Sequence, residues 1–173
     1  EDPVVKAVHA AWDAGIVVCA AAGNSGPDAQ TIASPGVSSK IITVGALDDR
    51  DTVSREDDDV ASYSSRGPTI YGQVKPDLLV PGTNITSLRS PGSFLAKLQK
   101  TNRVGTKYMT LSGTSMATPI CAGIAALILQ QAPGTEPDEV KQLLMDGTDL
   151  WKDRDPNVYG AGYINAEQSV PQD

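Results

Sequence analysis

One serine in this chain stands where a hydroxyl group could attack a carbonyl. Ser115 follows Gly113 and Thr114, after a predicted strand over residues 107–111 and just before an apolar segment that predicts a helix over residues 118–131. Free backbone N–H groups and the positive end of the helix dipole meet at the first turn of a helix. Both a nucleophilic serine and a developing oxyanion could be stabilised there. A serine that only caps the helix would occupy the same position.

A nucleophilic serine needs a general base, and the sequence contains a single histidine, His9. The apolar spacing around His9 predicts a helix over residues 3–14, which ends at Gly15. Nothing near His9 directs its imidazole toward Ser115, so we expect a solvent-facing histidine with a structural role. The nucleophile elbow of α/β-hydrolases places the acid and the histidine after the serine, whereas no histidine follows Ser115.

Four segments resemble, in the same chain order, motifs of the subtilisin family of serine proteases (subtilases). Residues 113–119 (GTSMATP) are similar to the G-T-S-M-A-x-P signature around that family's nucleophile. Residues 17–26 (VVCAAAGNSG) resemble the strand and loop that carry its oxyanion-hole asparagine. Residues 75–82 (KPDLLVPG) and 159–166 (YGAGYINA) resemble two further motifs, with Val80 in place of the common alanine. The likeness covers nearly the whole chain and is closest to bacterial alkaline serine proteases.

The resemblance implies roles for individual side chains. It makes Ser115 the nucleophile and the Asn24 side chain a hydrogen-bond donor to the oxyanion. It also places Ala22, Gly23 and Ala33 along the substrate-binding cleft. Taken alone, Asn24 would also fit a turn that needs a left-handed residue. The loop around Asn24 has neither of the glycine spacings that are typical of phosphate-binding loops.

The resemblance extends to backbone groups. It implies a cis peptide bond between Ser34 and Pro35. It also implies a cation site made of the backbone carbonyls of Gly36, Ser38 and Ile41. We expect no required cofactor, although calcium would suit such a site.

The fold implied by the resemblance is α/β and subtilisin-like, with a mostly parallel sheet flanked by helices. Strands are predicted over residues 16–22, 41–46 and 78–80, because each is a short apolar run. Residues 118–131 are apolar almost all round, which predicts a helix buried in the centre of the fold. Another helix, with one apolar face, is predicted over residues 136–145.

The family's D-[ST]-G and H-G-T-H motifs for the catalytic aspartate and histidine do not occur in the sequence, nor does its S-x-G-G substrate-binding strand. We therefore expect residues 1–173 to be the C-terminal portion of one subtilisin-like peptidase domain, with no second domain. The expected function is serine endopeptidase activity through an acyl-enzyme on Ser115. The N-terminal part of the same protease would supply the histidine and aspartate, so this chain alone should be inactive. The alternative is a non-catalytic, subtilase-like binding module.

Composition bears on the class of partner. The formal net charge is −7, so nucleic acid is not an expected partner. No apolar run approaches the length of a membrane span, so no membrane partner is predicted. The expected partners are a peptide or protein substrate and the N-terminal part of the protease. The localisation, in the bacterial cytoplasm or secreted, is left open.

Four further features complete the expectations. The acidic segment 48–59 lacks the spacing of a calcium-binding loop and predicts a solvated surface loop. Asp77 is predicted to be a structural acid that binds nearby backbone groups. The polar segment 89–106 predicts a loop or hairpin, which could lie at the rim of a peptide cleft because it precedes the serine. Cys19 and Cys121 lie in apolar segments and are predicted to be buried free thiols.

Overall fold

The computed structural model describes residues 2–149, 151 and 154–172. Within these residues the chain forms two β-sheets and six α-helices. The helices are α1 (Pro3–Asp13), α2 (Phe94–Leu98), α3 (Thr114–Gln131), α4 (Pro137–Asp146), α5 (Pro156–Tyr159) and α6 (Ala166–Ser169). The predicted helices over residues 3–14 and 136–145 are confirmed to within a residue or two at each end.

The larger sheet has four strands, with β2 at its centre. These strands are β1 (Cys19–Ala21), β2 (Ile42–Asp48), β3 (Asp59–Val60) and β4 (Leu78–Pro81). Strand β2 runs parallel to β1 and to β4, and its far end pairs antiparallel with the short β3. Val44 on β2 lies opposite Leu78 on β4, and both side chains are fully buried. Burial on both faces explains why these strands are continuous apolar runs, and the α/β prediction is confirmed.

The smaller sheet is antiparallel and carries the segment predicted as a loop or hairpin. It consists of β5 (Ile85–Leu88), β6 (Arg103–Val104) and β7 (Tyr108–Leu111), in the order β5-β7-β6. The connection from β5 to β6 contains helix α2 and a 3₁₀ turn over Lys100–Asn102. Strand β5 is therefore an edge strand, and β7 leads directly to the candidate nucleophile.

Helix α3 begins at Thr114, four residues earlier than predicted. One face packs on the larger sheet through Ala117, Cys121 and Ile128, which are all fully buried. The opposite face carries exposed small and apolar residues: Pro119, Ala122, Gly123, Ala126 and Leu127. The prediction of central burial is therefore wrong for one face of this helix, because the described residues cover only the other. Among the described residues, no helix combines the length and the apolar character needed to cross a bilayer.

The acidic segment 48–59 lies on the surface as predicted, with one exception. Residues 50–57 are exposed, whereas Asp58 is buried. The Arg55 guanidinium lies 4.1 Å from the centre of the Tyr163 ring, within the range of a cation–π contact. This contact ties the acidic loop to the C-terminal part of the chain.

Candidate active site

The turn between β7 and α3 is built around one glycine. Gly113 adopts φ 152° and is the residue that precedes the first turn of α3. Its backbone N–H donates to the carbonyl of Gly82 at 2.8 Å, which fixes the turn against the end of β4. A Cβ at Gly113 would lie 3.3 Å from Asn24 Nδ2. A side chain here would be strained and would crowd that amide, so glycine keeps the space in front of the helix open.

The orientation of the Asn24 amide follows from its hydrogen bonds. The backbone N–H of Thr114 donates to Asn24 Oδ1 at 2.9 Å, and the Thr114 hydroxyl donates to the same oxygen at 3.1 Å. A backbone N–H can only donate, so the atom that it meets must be the carbonyl oxygen of the amide. The Asn24 NH₂ group makes no hydrogen bond with any other described residue, and it is left as a free donor beside the start of α3.

Thr114 holds this arrangement together. Its side chain is fully buried, and its hydroxyl oxygen also accepts a hydrogen bond from the backbone N–H of Gly23 at 3.2 Å. The loop after β1 and the N-terminus of α3 are therefore joined through one hydroxyl. The sequence alone assigned no role to Thr114. The sequence feature that could have indicated this role is a β-branched residue with a hydroxyl group, directly before the nucleophile at the start of a helix.

Ser115 is exposed at the second position of α3. Its hydroxyl makes no hydrogen bond with any other described residue. It opens onto a cavity of about 460 Å³ that is mostly apolar, lined by Ile85, Thr86, Ser87, Met116, Pro119 and Ile120. No acidic or basic side chain lines this cavity within the described part of the chain, so nothing there can take the serine proton.

The structure does not bring His9 to Ser115. The imidazole Nε2 of His9 lies 2.7 Å from Ser38 Oγ, and Ser38 is buried. His9 is half-buried on α1, not solvent-facing as predicted, because this hydrogen bond draws it against the loop before β2. Its partner indicates a structural role, in agreement with the sequence analysis.

The predicted substrate-binding residues Ala22, Gly23 and Ala33 lie next to one another, just after β1. The backbone N–H of Ala33 donates to the carbonyl of Ala22 at 2.8 Å, and a Cβ built on Gly23 would lie 3.1 Å from the Ala33 side chain. Ala22 is fully buried, so Gly23 and Ala33 are the members of this set that can face a ligand. The Ser34–Pro35 peptide bond is cis, as expected.

Two of the three carbonyls predicted to bind a cation, those of Gly36 and Ile41, are already engaged by protein donors. The carbonyl of Gly36 accepts from the Thr43 hydroxyl at 2.7 Å. The carbonyl of Ile41 accepts from the ammonium groups of Lys75 at 3.0 Å and Lys141 at 3.1 Å. A metal cation at Ile41 would meet two like charges, so the residues present do not suit one there. No group of three or more histidine, cysteine or acidic residues in the described residues is arranged to hold a metal ion.

Asp77 joins the two lysines. Its carboxylate lies 2.6 Å from Lys75 Nζ and 3.1 Å from Lys141 Nζ, and it accepts from the backbone N–H of Thr43 at 2.6 Å. The predicted structural role of Asp77 agrees with these contacts. Burial lowers the pKa of the Lys75 ammonium to about 8, and the charge of Asp77 opposes that shift only in part. The approach of Lys141 was not predicted, because Asp77 and Ile41, which its ammonium group contacts, both lie far from it in the sequence.

Comparisons with known proteins identify the family. The model of the subtilase family, Peptidase_S8, matches residues 2–162. The serine protease AprX of Bacillus subtilis is 73% identical over 171 residues, covering 99% of this chain and 39% of AprX. Subtilisin Savinase of Lederbergia lenta is 34% identical over 166 residues, covering 95% of this chain and 50% of its own length.

A solved structure shows the same fold. The crystal structure of fervidolysin from Fervidobacterium pennivorans, described as a keratinolytic enzyme related to subtilisin, superimposes with a TM-score of 0.74 at 25% identity. The match covers 96% of this chain and 24% of that chain. This chain thus spans half or less of the length of these three relatives. With a family model that covers nearly all of its residues and a relative at 73% identity, the chain belongs to the subtilase family of serine proteases.

Proposed function

We propose that this chain carries the nucleophile and the oxyanion hole of a serine endopeptidase. The observation that carries the proposal is the Asn24 amide, whose oxygen is held by Thr114 and whose NH₂ group is left free beside Gly113, at the start of the helix that carries Ser115. Donors fixed before the reaction stabilise a developing negative charge without the cost of reorienting them. The substrate is a peptide or protein, in keeping with the family.

In the proposed reaction, Ser115 Oγ attacks the carbonyl carbon of a peptide bond, and its proton passes to a histidine of the N-terminal part. The carbonyl electron pair moves onto the oxygen, which accepts hydrogen bonds from Asn24 Nδ2 and from the Ser115 backbone N–H. When the carbonyl re-forms, the C–N bond breaks and the leaving amine takes the proton from the histidine. Water then hydrolyses the acyl-serine by the same route.

Two surfaces support the N-terminal part of the protease as the partner that completes the site. The cavity beside Ser115 is mostly apolar, and none of the described residues that line it is a base. The exposed face of α3 continues from it, because Ser115, Pro119, Gly123 and Ala126 lie three or four residues apart on one side of the helix. Small residues on that face allow a second helix to approach closely. A segment that packs on this face of α3 would therefore reach the serine.

The first test is labelling with a fluorophosphonate probe, which reacts with an activated serine. The chain alone and the chain joined to the N-terminal part of AprX from Bacillus subtilis are compared. We expect labelling at Ser115 only in the joined protein, and none in its Ser115→Ala variant. Equal labelling of the chain alone would show that a base lies within it. Labelling of neither protein would reject the peptidase proposal and favour the binding-module alternative.

The second test isolates the oxyanion donor. Asn24→Asp keeps an oxygen to accept from Thr114 but replaces the NH₂ donor with a negatively charged oxygen. We expect kcat of the joined protein to fall by at least about 10²–10³-fold, the loss known for this same donor in subtilisin itself. His9→Ala is the matched control and should leave kcat unchanged. A kcat within twofold of the parent value for Asn24→Asp would remove Asn24 from the mechanism.

A further inference from the structure

Positive charge is concentrated in one segment of this acidic chain. Residues 88–108, which we call the basic arm, contain five of the 14 lysine and arginine residues and none of the 21 aspartate and glutamate residues. The formal net charge of the whole chain is −7. The basic arm therefore differs in charge from the rest of the chain, and a partner with complementary charge would be anionic.

Two of the five cations brace the arm and three are free. The Arg103 side chain donates through Nε to the carbonyl of Ala96 at 2.9 Å, and the Arg89 guanidinium donates to the carbonyl of Thr106. These bonds hold the arm in one shape. The other three side chains are exposed and make no hydrogen bond or ion pair with any described residue: Lys97, Lys100 and Lys107.

Large apolar side chains stand among these lysines. Phe94 is 79% exposed and Leu98, one turn later on α2, is 66% exposed. Leu88 at the end of β5 is 76% exposed. Leu95, Val104 and Tyr108 of the arm are also exposed. Exposed apolar residues gathered in one element mark an interaction surface.

The root of the basic arm lies at the candidate nucleophile. Residues 85–87 of β5 form one wall of the cavity beside Ser115. Strand β7 ends at Leu111, and the hydroxyl of Ser112 accepts from the backbone N–H of Asn84 at 2.9 Å, which ties the two strands together next to the nucleophile. A polypeptide with its carbonyl at Ser115 must therefore pass the base of the arm.

We propose that the basic arm is an exosite that binds acidic, apolar segments of the protease's polypeptide substrates. This inference rests on the proposed function of Ser115, because the arm is expected to bind a substrate only if the serine beside it cleaves one. Aspartate or glutamate side chains complement the three free lysines, and large apolar side chains cover Phe94 and Leu98. An anionic lipid surface would offer the same negative charges. Binding to lipid would not explain why the arm lies next to Ser115, whereas binding to a substrate does.

The test measures binding of a fluorescein-labelled peptide of alternating glutamate and leucine by fluorescence anisotropy, using the whole chain. The variant Lys97→Gln/Lys100→Gln/Lys107→Gln removes the free charges, and Phe94→Ser/Leu98→Ser removes the apolar surface. Each should weaken binding about tenfold, and the lysine variant should also reduce its salt dependence. All five side chains are exposed, so both variants should melt at the parent temperature.

Two comparisons make the result specific. Lys6→Gln/Lys40→Gln/Arg50→Gln removes the same charge outside the arm and should leave binding within about twofold of the parent. A peptide of alternating lysine and leucine should bind far more weakly than the acidic one. Equal weakening by both triple variants, or no weakening by the arm variants, would overturn the exosite.

Vesicles of phosphatidylcholine with and without phosphatidylglycerol test the membrane as occupant. We expect that the chain sediments with neither kind of vesicle. If it bound the anionic vesicles through the arm and did not bind the peptide, the exosite proposal would be overturned in favour of a lipid surface. Anisotropy needs no cleavage, so it is independent of the peptidase proposal. Failure of fluorophosphonate labelling would reject the peptidase, whereas peptide binding that ignores the arm would reject the exosite alone.

Discussion

Thr114 binds the side-chain oxygen of Asn24 twice, through its backbone N–H at 2.9 Å and through its hydroxyl at 3.1 Å. The two residues are 90 positions apart in the sequence. One residue thus fixes both the start of the helix that carries Ser115 and the direction in which the Asn24 amide points. The nucleophile and its proposed oxyanion donor are positioned by the same buried side chain.

Removing the Thr114 hydroxyl should therefore slow the reaction without weakening substrate binding. Thr114→Val keeps the shape of the side chain and the backbone N–H bond to Asn24 Oδ1, but it loses the two hydrogen bonds of the hydroxyl, to Asn24 Oδ1 and from the N–H of Gly23. A neutral hydrogen bond contributes about 1 kcal/mol, so we expect kcat of the joined protein to fall by about fivefold. KM should be unchanged, because the donor acts on the oxyanion and not on the bound substrate.

A control separates this positioning role from general destabilisation. Thr135→Val removes a hydroxyl that bonds the carbonyl of Ala132 beyond the far end of α3, and it should leave kcat unaltered. If Thr114→Val lowered only the melting temperature while kcat stayed at the parent value, Thr114 would be structural. In Asn24→Asp, adding Thr114→Val should cost little more, because the oxyanion donor is already gone.

The sequence predicted those residues of the candidate site that belong to short local motifs. It did not predict contacts between segments that are distant in the sequence. Ser115 and Asn24 each lie in a run of adjacent residues that resembles a family motif. The role of Thr114 depends on a contact between β1's loop and α3, which no local pattern records. The engagement of the Ile41 carbonyl was missed for the same reason, since Lys75 and Lys141 reach it from 34 and 100 positions away.

The buried Lys75 should give the chain a stability that rises with pH. Its pKa is about 8 in the folded chain against an ordinary value of 10.5, because burial disfavours the ammonium form. Between these values the unfolded chain binds more protons at this site, so the unfolding free energy increases as the pH rises. Complete titration would change it by at most about 3 kcal/mol.

The matched variant for this prediction is Lys75→Met, which keeps the length of the side chain without a titrating group. Urea unfolding is measured at intervals between pH 7 and 10. The unfolding free energy of the parent chain should rise over this range, and that of the variant should not. Above that range Tyr163 acts in the opposite direction. Burial raises its pKa to about 12 in the folded chain, so the unfolded chain loses this proton first and the unfolding free energy falls as the pH rises further. Parallel curves for the two proteins would show that Lys75 stays charged throughout.

The two cysteines should differ in reactivity. Cys19 on β1 is half-buried and Cys121 on α3 is fully buried, and both are free thiols. A hydrogen bond between the two lowers the pKa of Cys19 and raises that of Cys121, which burial raises further. The thiolate is the reactive form, so iodoacetamide should alkylate Cys19 first in the native chain.

Mass spectrometry of digests taken over time measures the order of alkylation. Cys121 should react only after unfolding, and Cys121→Ala should slow the reaction of Cys19, because Cys19 loses its hydrogen-bond donor. The Cys19→Ser variant should show no fast phase at all. Faster modification of Cys121 than of Cys19 in the native chain would contradict the assignment of donor and acceptor.

The exposed face of α3 allows the proposed partner to be tested apart from the chemistry. Gly123 is exposed and a Cβ built on it would meet no atom within 4 Å, so we expect this chain to accept Gly123→Leu. Leucine favours a helix over glycine by about 1 kcal/mol, so the melting temperature of the chain alone should rise. A partner helix packed on this face would collide with the new side chain.

We therefore expect Gly123→Leu to abolish fluorophosphonate labelling of Ser115 in the joined protein, although residue 123 lies two turns from the serine. Glu139→Leu is the control, since Glu139 is exposed on α4 and away from this face. It should label at the parent rate. If Gly123→Leu also labelled at that rate, the N-terminal part would have to reach Ser115 without covering α3, and the exposed face would need another occupant.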